Sequence, residues 1–150
     1  MVALMTFVID ETVEIDAPAE VVWKVLTDFA SYGEWNPFVL RCSTTLEPGA
    51  PIDMRVRLVG PKAFPQREYI RDHIPGVEFG YRMKPVPGGT LHSHRTHTVT
   101  PLGDGRCRYR SHFELAGWLQ PVVTALLGTA LRRGFGGMTA AVASRAESVS

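Results

Sequence analysis

The side chains best suited to proton or anion chemistry crowd into one short stretch, His92-Ser93-His94-Arg95-Thr96-His97, with His112 a little further on. Histidine titrates near neutrality, so it can take up or return a proton, and its neutral ring can bind a metal. Arginine keeps its charge and presents a planar fork that suits carboxylate or phosphate. Which of these groups can act together depends on strand geometry, because side chains alternate between the two faces of extended backbone. Glu68 and Asp72 are the carboxylates that could join them, but the phase of the strand Phe64–His73 leaves open whether they face the same way. The chain shows no Ser-His-Asp order, no glycine-rich phosphate loop and no paired-carboxylate motif. It announces no redox centre, and no cofactor is expected.

A hairpin sets the register of this stretch. Thr90–Leu102 and Arg106–Gly117 flank Gly103-Asp104-Gly105, which predicts a three-residue loop pairing odd positions with odd ones. In the second arm Cys107, Tyr109, Phe113 and Leu115 are apolar while Arg106, Arg108, Arg110, His112 and Glu114 are polar, so odd numbers face inward. The first arm then points Leu91, Ser93, Arg95, His97 and Val99 inward. Arg95 and His97 share one wall at about 7 Å spacing, on the same face as Tyr109, Phe113, Phe79 and Tyr81. His92, His94 and His112 fall on the outer face, so no metal site is expected. Two readings stand for each inward group. Arg95 either pairs with Glu68 or Asp72 or meets a ligand, and His97 is either held by Tyr109 or Ser111 or moves a proton.

Other elements must hold that wall in place. A strand over Thr6–Ile15 leads to Asp16-Ala17-Pro18, where proline suits a first helical turn and Asp16 can accept from free amides. Val22, Val25, Leu26 and Phe29 form one apolar stripe, and Trp35-Asn36-Pro37-Phe38 turns the chain into a strand reaching Leu46. Ile52, Met54, Val56 and Leu58 alternate with Asp53, Arg55 and Arg57, the pattern of a sheet with one buried face. Turns at Gly60-Pro61 and Pro75-Gly76 bound the next strands, the second marked by Val77, Phe79, Tyr81 and Met83. Pro85, Pro87, Gly88 and Gly89 make a loop. From Leu119 to Ala146 the period becomes helical, with Val122, Val123, Leu126, Leu127, Ala130, Leu131, Met138, Ala141 and Val142 largely on one side. Its glycines disfavour helix, so packing must hold it, and a kink or break is expected near Gly134–Gly137. Trp23, Trp35 and Trp118 are read as packing residues.

The 150 residues suit one domain over 1–150, large enough for a core without staples. With 16 basic against 15 acidic residues and no basic run, nucleic acid is an unsuitable partner. No apolar stretch approaches the roughly 20 residues that span a bilayer, and Met1–Thr6 lacks the basic start of a secretory signal. The expectation is a cytoplasmic protein with no membrane partner. Cys42 and Cys107 are read as reduced thiols in strands.

Three stretches carry a family resemblance: Asp16-Ala17-Pro18-Ala19-Glu20-Val21-Val22-Trp23, Trp35-Asn36-Pro37-Phe38, and Phe113-Glu114-Leu115-Ala116-Gly117-Trp118-Leu119. With the order of elements they resemble the START-like or SRPBCC superfamily, in particular its polyketide cyclase/dehydrase-like branch. The resemblance spans nearly the whole chain. It implies an α+β helix-grip fold, a curved antiparallel sheet of about seven strands wrapped around a long C-terminal helix, with two short helices between the first two strands. It also implies an elongated apolar cavity between sheet and helix, lined by Arg95, His97, Tyr109, Phe113, Phe79, Tyr81, Met54 and Val56. The superfamily carries both binding and catalytic activities, so fold alone does not choose between them. The leading expectation is a binding or carrier protein for a small hydrophobic or aromatic molecule with a polar or anionic end. The alternative is a cofactor-independent cyclase or dehydratase in which His97 or Tyr109 moves protons. A module without a ligand would instead show a filled cavity and an exposed apolar patch.

Overall fold

The computed structural model describes residues 6–150; Met1–Met5, most of the stretch read above as lacking a secretory signal, lies outside them. The elements are β1 (Thr6–Ile15), α1 (Ala19–Thr27), a 3-10 turn at Phe29–Ser31, α2 (Tyr32–Trp35), β2 (Val39–Ser43), β3 (Pro51–Val56), β4 (Phe64–Ile74), β5 (Glu78–Arg82), β6 (His92–Gly103), β7 (Arg106–Ala116) and α3 (Gln120–Val149). The strands form one seven-stranded antiparallel sheet in the order β1-β7-β6-β5-β4-β3-β2. This is the helix-grip architecture: the sheet curls around α3, and the two short helices stand between β1 and β2.

Period-two patterning explains the sheet. In β3 the buried residues are Ile52, Met54 and Val56, and in β6 they are Ser93, Arg95, His97 and Val99. Arg95 faces Phe113, His97 faces Ser111 and Val99 faces Tyr109, the odd-with-odd pairing expected. The turn that produces it differs. Asp104 and Gly105, both at positive φ, form a two-residue turn with Gly103 paired to Arg106, and a register shift between Pro101 and Gly103 restores the parity. Two left-handed central residues match strand twist, which is why Asp-Gly favours this turn.

The helix α1 buries Val22, Val25 and Leu26, and Phe29 packs edge-on against Phe79. Asp16 does not cap it. Pro18 occupies the N-cap, its carbonyl accepting from Val21 and Val22 N–H, and the Asp16 carboxylate lies 4.0 Å from Arg106 instead. Two residues outside the cap, Asp16 is beyond reach of the first-turn amides. At the aromatic turn, Asn36 is buried and its Oδ1 accepts from the Phe38 and Val39 amides at 3.0 and 2.9 Å, which fixes the re-entry into β2.

The helix α3 is continuous through Gly134–Gly137, so of the kink or break expected there the break does not occur. Gly134 is there for clearance: a Cβ would overlap the ring of Phe38, which packs against Phe135 at a centroid distance of 5.0 Å. The carboxy half buries Phe135, Met138, Val142 and Ala146. The amino half does not form the continuous inward stripe expected, since Val122 is 53% and Leu126 77% exposed. At the corner before it, Gly117 adopts φ +120, and a Cβ there would run into the carbonyl of Thr90. Trp118 is 56% exposed, its indole N–H donating to Gly88 O at 3.2 Å, so it holds the β5–β6 loop rather than filling the core. Trp23 stacks on His73 and Trp35 packs edge-on to Tyr32. Both thiols are free, and burial pushes Cys42 up to about 12.

Candidate functional site

Between the concave face of the sheet and the amino half of α3 lies a cavity of about 230 Å³. Its walls are mostly apolar. The sheet supplies Met54, Val56, Tyr81, Phe113 and Leu115, and α3 supplies Val123, Leu127, Leu131 and Phe135. Polar groups are few, namely Gln66, Glu68, Ser93 and Arg95, with the Tyr81 hydroxyl. An apolar cavity of about 150 Å³ can hold benzene, so this one has room for a ring with substituents.

Arg95 is the cation of that wall. It is 3% exposed, and its guanidinium carbon lies 4.3 Å from the centroid of the Phe135 ring. Nη1 donates to Tyr81 Oη at 3.4 Å, and Nη2 donates to Ser111 Oγ at 3.3 Å and reaches Met138 Sδ at 3.5 Å. All of these partners are neutral, and among the described residues Nε is buried without one. No carboxylate of those residues lies within salt-bridge distance of Arg95. A buried ion normally needs a charged partner as well as hydrogen bonds.

The two carboxylates whose orientation the sequence left open part company at a bulge. A register shift between Ile70 and Asp72 flips the phase of β4. Glu68, before it, lines the cavity; its carboxyl is raised above the usual carboxylate range by burial, opposed by a hydrogen bond from Gln66 and by the Arg95 charge. Asp72, after it, sits against Gly80 on the outer face. Neither pairs directly with Arg95.

His97 is 1% exposed and lies beneath the cavity wall rather than in it, together with Tyr109 and Phe79. Its Nδ1 is 2.6 Å from Tyr109 Oη, and Nε2 is 3.5 Å from Tyr81 Oη. The Tyr109 ring stacks nearly parallel to it and Phe79 covers it at 4.8 Å between centroids. Burial, then the Arg95 charge, holds the imidazole well below its ordinary value, and burial pushes the Tyr109 phenol up to about 12. Both stay neutral near pH 7. A neutral imidazole has one donor and one acceptor nitrogen, which two hydroxyls can satisfy.

Of the residues read from sequence as lining the cavity, Arg95, Tyr81, Phe113, Met54 and Val56 do so, while His97, Tyr109 and Phe79 form the layer behind them. His94 bonds to Thr96 and His112 to Glu114 on the outer side, and among the described residues no three His, Cys, Asp or Glu side chains gather as metal ligands. Phe135 and Met138 hold Arg95 from α3; sequence reasoning put Met138 on the helix's apolar side but gave neither residue as a partner of Arg95. Helical period marks them as inward but not as partners of a particular strand residue.

A curled antiparallel sheet gripping one long helix over an apolar chamber defines a START-like protein. The chain belongs to the polyketide cyclase / dehydrase and lipid transport family, whose model matches residues 6–147. No curated protein matches it. Among solved structures it is similar to the Zhui aromatase/cyclase from Streptomyces sp. R1128 (TM-score 0.77, 18% identity, covering 95% of this chain and 94% of that one). It is also similar to a START superfamily protein from Mycobacterium smegmatis (0.71, 18%, 95% and 99%) and to norcoclaurine synthase from Thalictrum flavum (0.69, 17%, 95% and 95%). At these identities the likeness is one of fold. The set contains enzymes and a protein described only by its superfamily, so it does not choose an activity.

Proposed function

We propose that the protein binds or carries a small, mainly apolar, ring-containing molecule whose anionic end meets Arg95. The observation that carries this reading is a buried guanidinium on the cavity wall, held only by neutral groups. Arginine cannot shed its charge as a buried histidine can, and a ligand carboxylate is the group its fork recognises. The family's description includes lipid transport; the cavity's modest size favours a compact ligand over a long acyl chain. Calorimetric titration of aromatic carboxylic acids and their primary amides tests it. The acids should bind more tightly, and one present at a hundred times its dissociation constant should stabilise the fold by about 2.7 kcal/mol. A panel of aromatic and fatty acids that neither binds nor raises the melting temperature overturns the reading.

A second reading, a cyclase or dehydratase, is favoured by Glu68. Its carboxyl shares the cavity with Arg95 and is raised above its ordinary value by burial, the direction of shift that suits a carboxyl to acid–base work. Arg95 would hold a developing enolate while Glu68 takes the proton, with His97 and Tyr109 behind Tyr81 as the relay. Turnover of a poly-β-ketone substrate, lost in Glu68→Gln with binding retained, would decide for catalysis.

A further inference from the structure

The rim of the cavity combines two independent features, although large apolar side chains are also exposed elsewhere, at Ile74, Val77 and Val149 among others. First, it exposes large apolar side chains. Val122 and Leu126 project from the start of α3, Trp118 from the corner before it, Val59 from the loop between β3 and β4, and Phe64 from the first position of β4. Val123, Leu127 and Leu58, the chain neighbours of Val122, Leu126 and Val59, line the cavity, as does Phe64 itself, so these four side chains flank its entrance, while Trp118 stands in the adjoining depression.

Second, the segments that bear these side chains lack acidic residues, the nearby carboxylates being Glu68 inside the cavity and Glu114 in the depression beside Trp118. The segments 54–67, 79–103 and 115–133 contain no Asp or Glu, yet they carry Arg55, Arg57, Lys62, Lys84 and Arg133, all exposed. Among the described residues none of these five has a carboxylate within 4.0 Å, whereas on the far edge of the sheet Arg106 and Arg108 pair with Glu14 and Arg110 with Asp10. Arg57 and Arg133 line one surface depression together with Leu58 and Gly60. Net charge of +1 for the chain therefore conceals a cationic bias in these three segments.

We propose that this face docks on an anionic lipid bilayer, with Val122, Leu126 and Val59 entering the headgroup–acyl boundary and Arg57, Lys62, Lys84 and Arg133 lying against lipid phosphates. Apolar side chains flanked by cations are what an interfacial surface requires, and such docking needs no spanning helix. A second copy of the chain is the poorer occupant, because a two-fold interface would set these cations against their own copies. An acidic protein would match the charge but gives no reason for apolar residues to flank the mouth of an apolar cavity. The proposal does not depend on what the cavity binds.

Co-sedimentation of the full chain with vesicles tests it. The protein should pellet with phosphatidylcholine vesicles containing phosphatidylglycerol, and far less with phosphatidylcholine alone or in raised salt. Exposed Trp118 should shift its fluorescence to the blue on binding, and the shift should vanish in Trp118→Phe. Leu126→Glu, at a position outside the cavity lining, should keep the parent melting temperature and lower the vesicle affinity about tenfold or more. The proposal is overturned by failure to bind anionic vesicles, by equal binding to neutral ones, by an unaffected Leu126→Glu variant that is folded, or by polyglutamate competing as well as anionic vesicles. A concentration-dependent dimer that Leu126→Glu dissociates would overturn it too.

Discussion

Arg95 and His97 stand two residues apart on the concave face of β6, with exposures of 3% and 1%, yet their surroundings have opposite character. His97 is closed in. Hydroxyls of Tyr109 and Tyr81 meet its two nitrogens and aromatic rings cover its faces. Arg95 touches the same Tyr81, but its other partners are Ser111, the Met138 sulfur and the Phe135 ring, and one side of it opens to the cavity. Burial alone therefore does not separate a structural polar group from a binding one. The difference lies in charge: desolvation can hold an imidazole neutral and let two neutral hydroxyls complete it, whereas a guanidinium stays ionised and still lacks a counter-charge.

The largest effect that tests this contrast should come from Arg95→Met. Removing one member of a buried charge pair costs about 2–5 kcal/mol of binding, so affinity for an aromatic carboxylate should fall by about thirtyfold or more while the amide binds as before. Stability should move the other way, since replacing a poorly compensated buried ion by an apolar side chain is neutral or favourable by about 1–4 kcal/mol. Titration calorimetry and urea denaturation read the two effects separately. A variant that loses stability and keeps its discrimination between acid and amide would place Arg95 beside His97 as a structural group.

Tyr109→Phe should do the reverse. It strips His97 Nδ1 of its 2.6 Å partner, and an orphaned buried polar atom costs about 1–3 kcal/mol of stability, while ligand affinity stays within twofold or so of the parent because Tyr109 does not line the cavity. The pH dependence has a definite sign. Burial depresses His97 in the folded state, so as pH falls below the ordinary value of 6.5 only the unfolded chain takes up that proton, and folding stability drops. Stability is thus retained above about pH 6.5 and lost below it. Urea denaturation of the parent and of His97→Gln across that range should show a slope in the first that is reduced in the second. An unchanged slope would mean that His97 takes up its proton in the folded state as well.

Much of this contrast was legible in the residues alone, and what was missing has physical causes. Alternation along β6 and β7 placed Arg95, His97, Tyr109 and Phe113 on one face, because the buried face of a sheet imposes a strict period of two. The turn between them was misjudged without harm, since the register shift near Pro101 returned the same parity. Glu68 and Asp72 could not be placed because a bulge inserts one residue into β4, and no composition signal marks where it falls. The depth of His97 behind the wall was also invisible. Parity says which face a side chain leaves from, not whether neighbours close over it. On α3 the apolar spacing promised a buried stripe, but the amino half overhangs the cavity, so Val122 and Leu126 find no sheet to cover them.

The smallest expected effect is the sharpest probe of where the closed network ends. Met138, 1% exposed, brings α3 to Arg95 through its sulfur at 3.5 Å from Nη2. Leucine is close in volume and costs under about 1.5 kcal/mol in a core, and a thioether is only a weak acceptor. Met138→Leu should therefore change stability by less than Tyr109→Phe does. With one neutral contact gone, the guanidinium depends more on an incoming anion, so carboxylate affinity should hold or rise by a factor of about two. If the loss of stability instead equals that of Tyr109→Phe and the ligand binds more weakly, then the sulfur is a full member of the network that satisfies Arg95. The division between the two neighbours on β6 would then be one of degree.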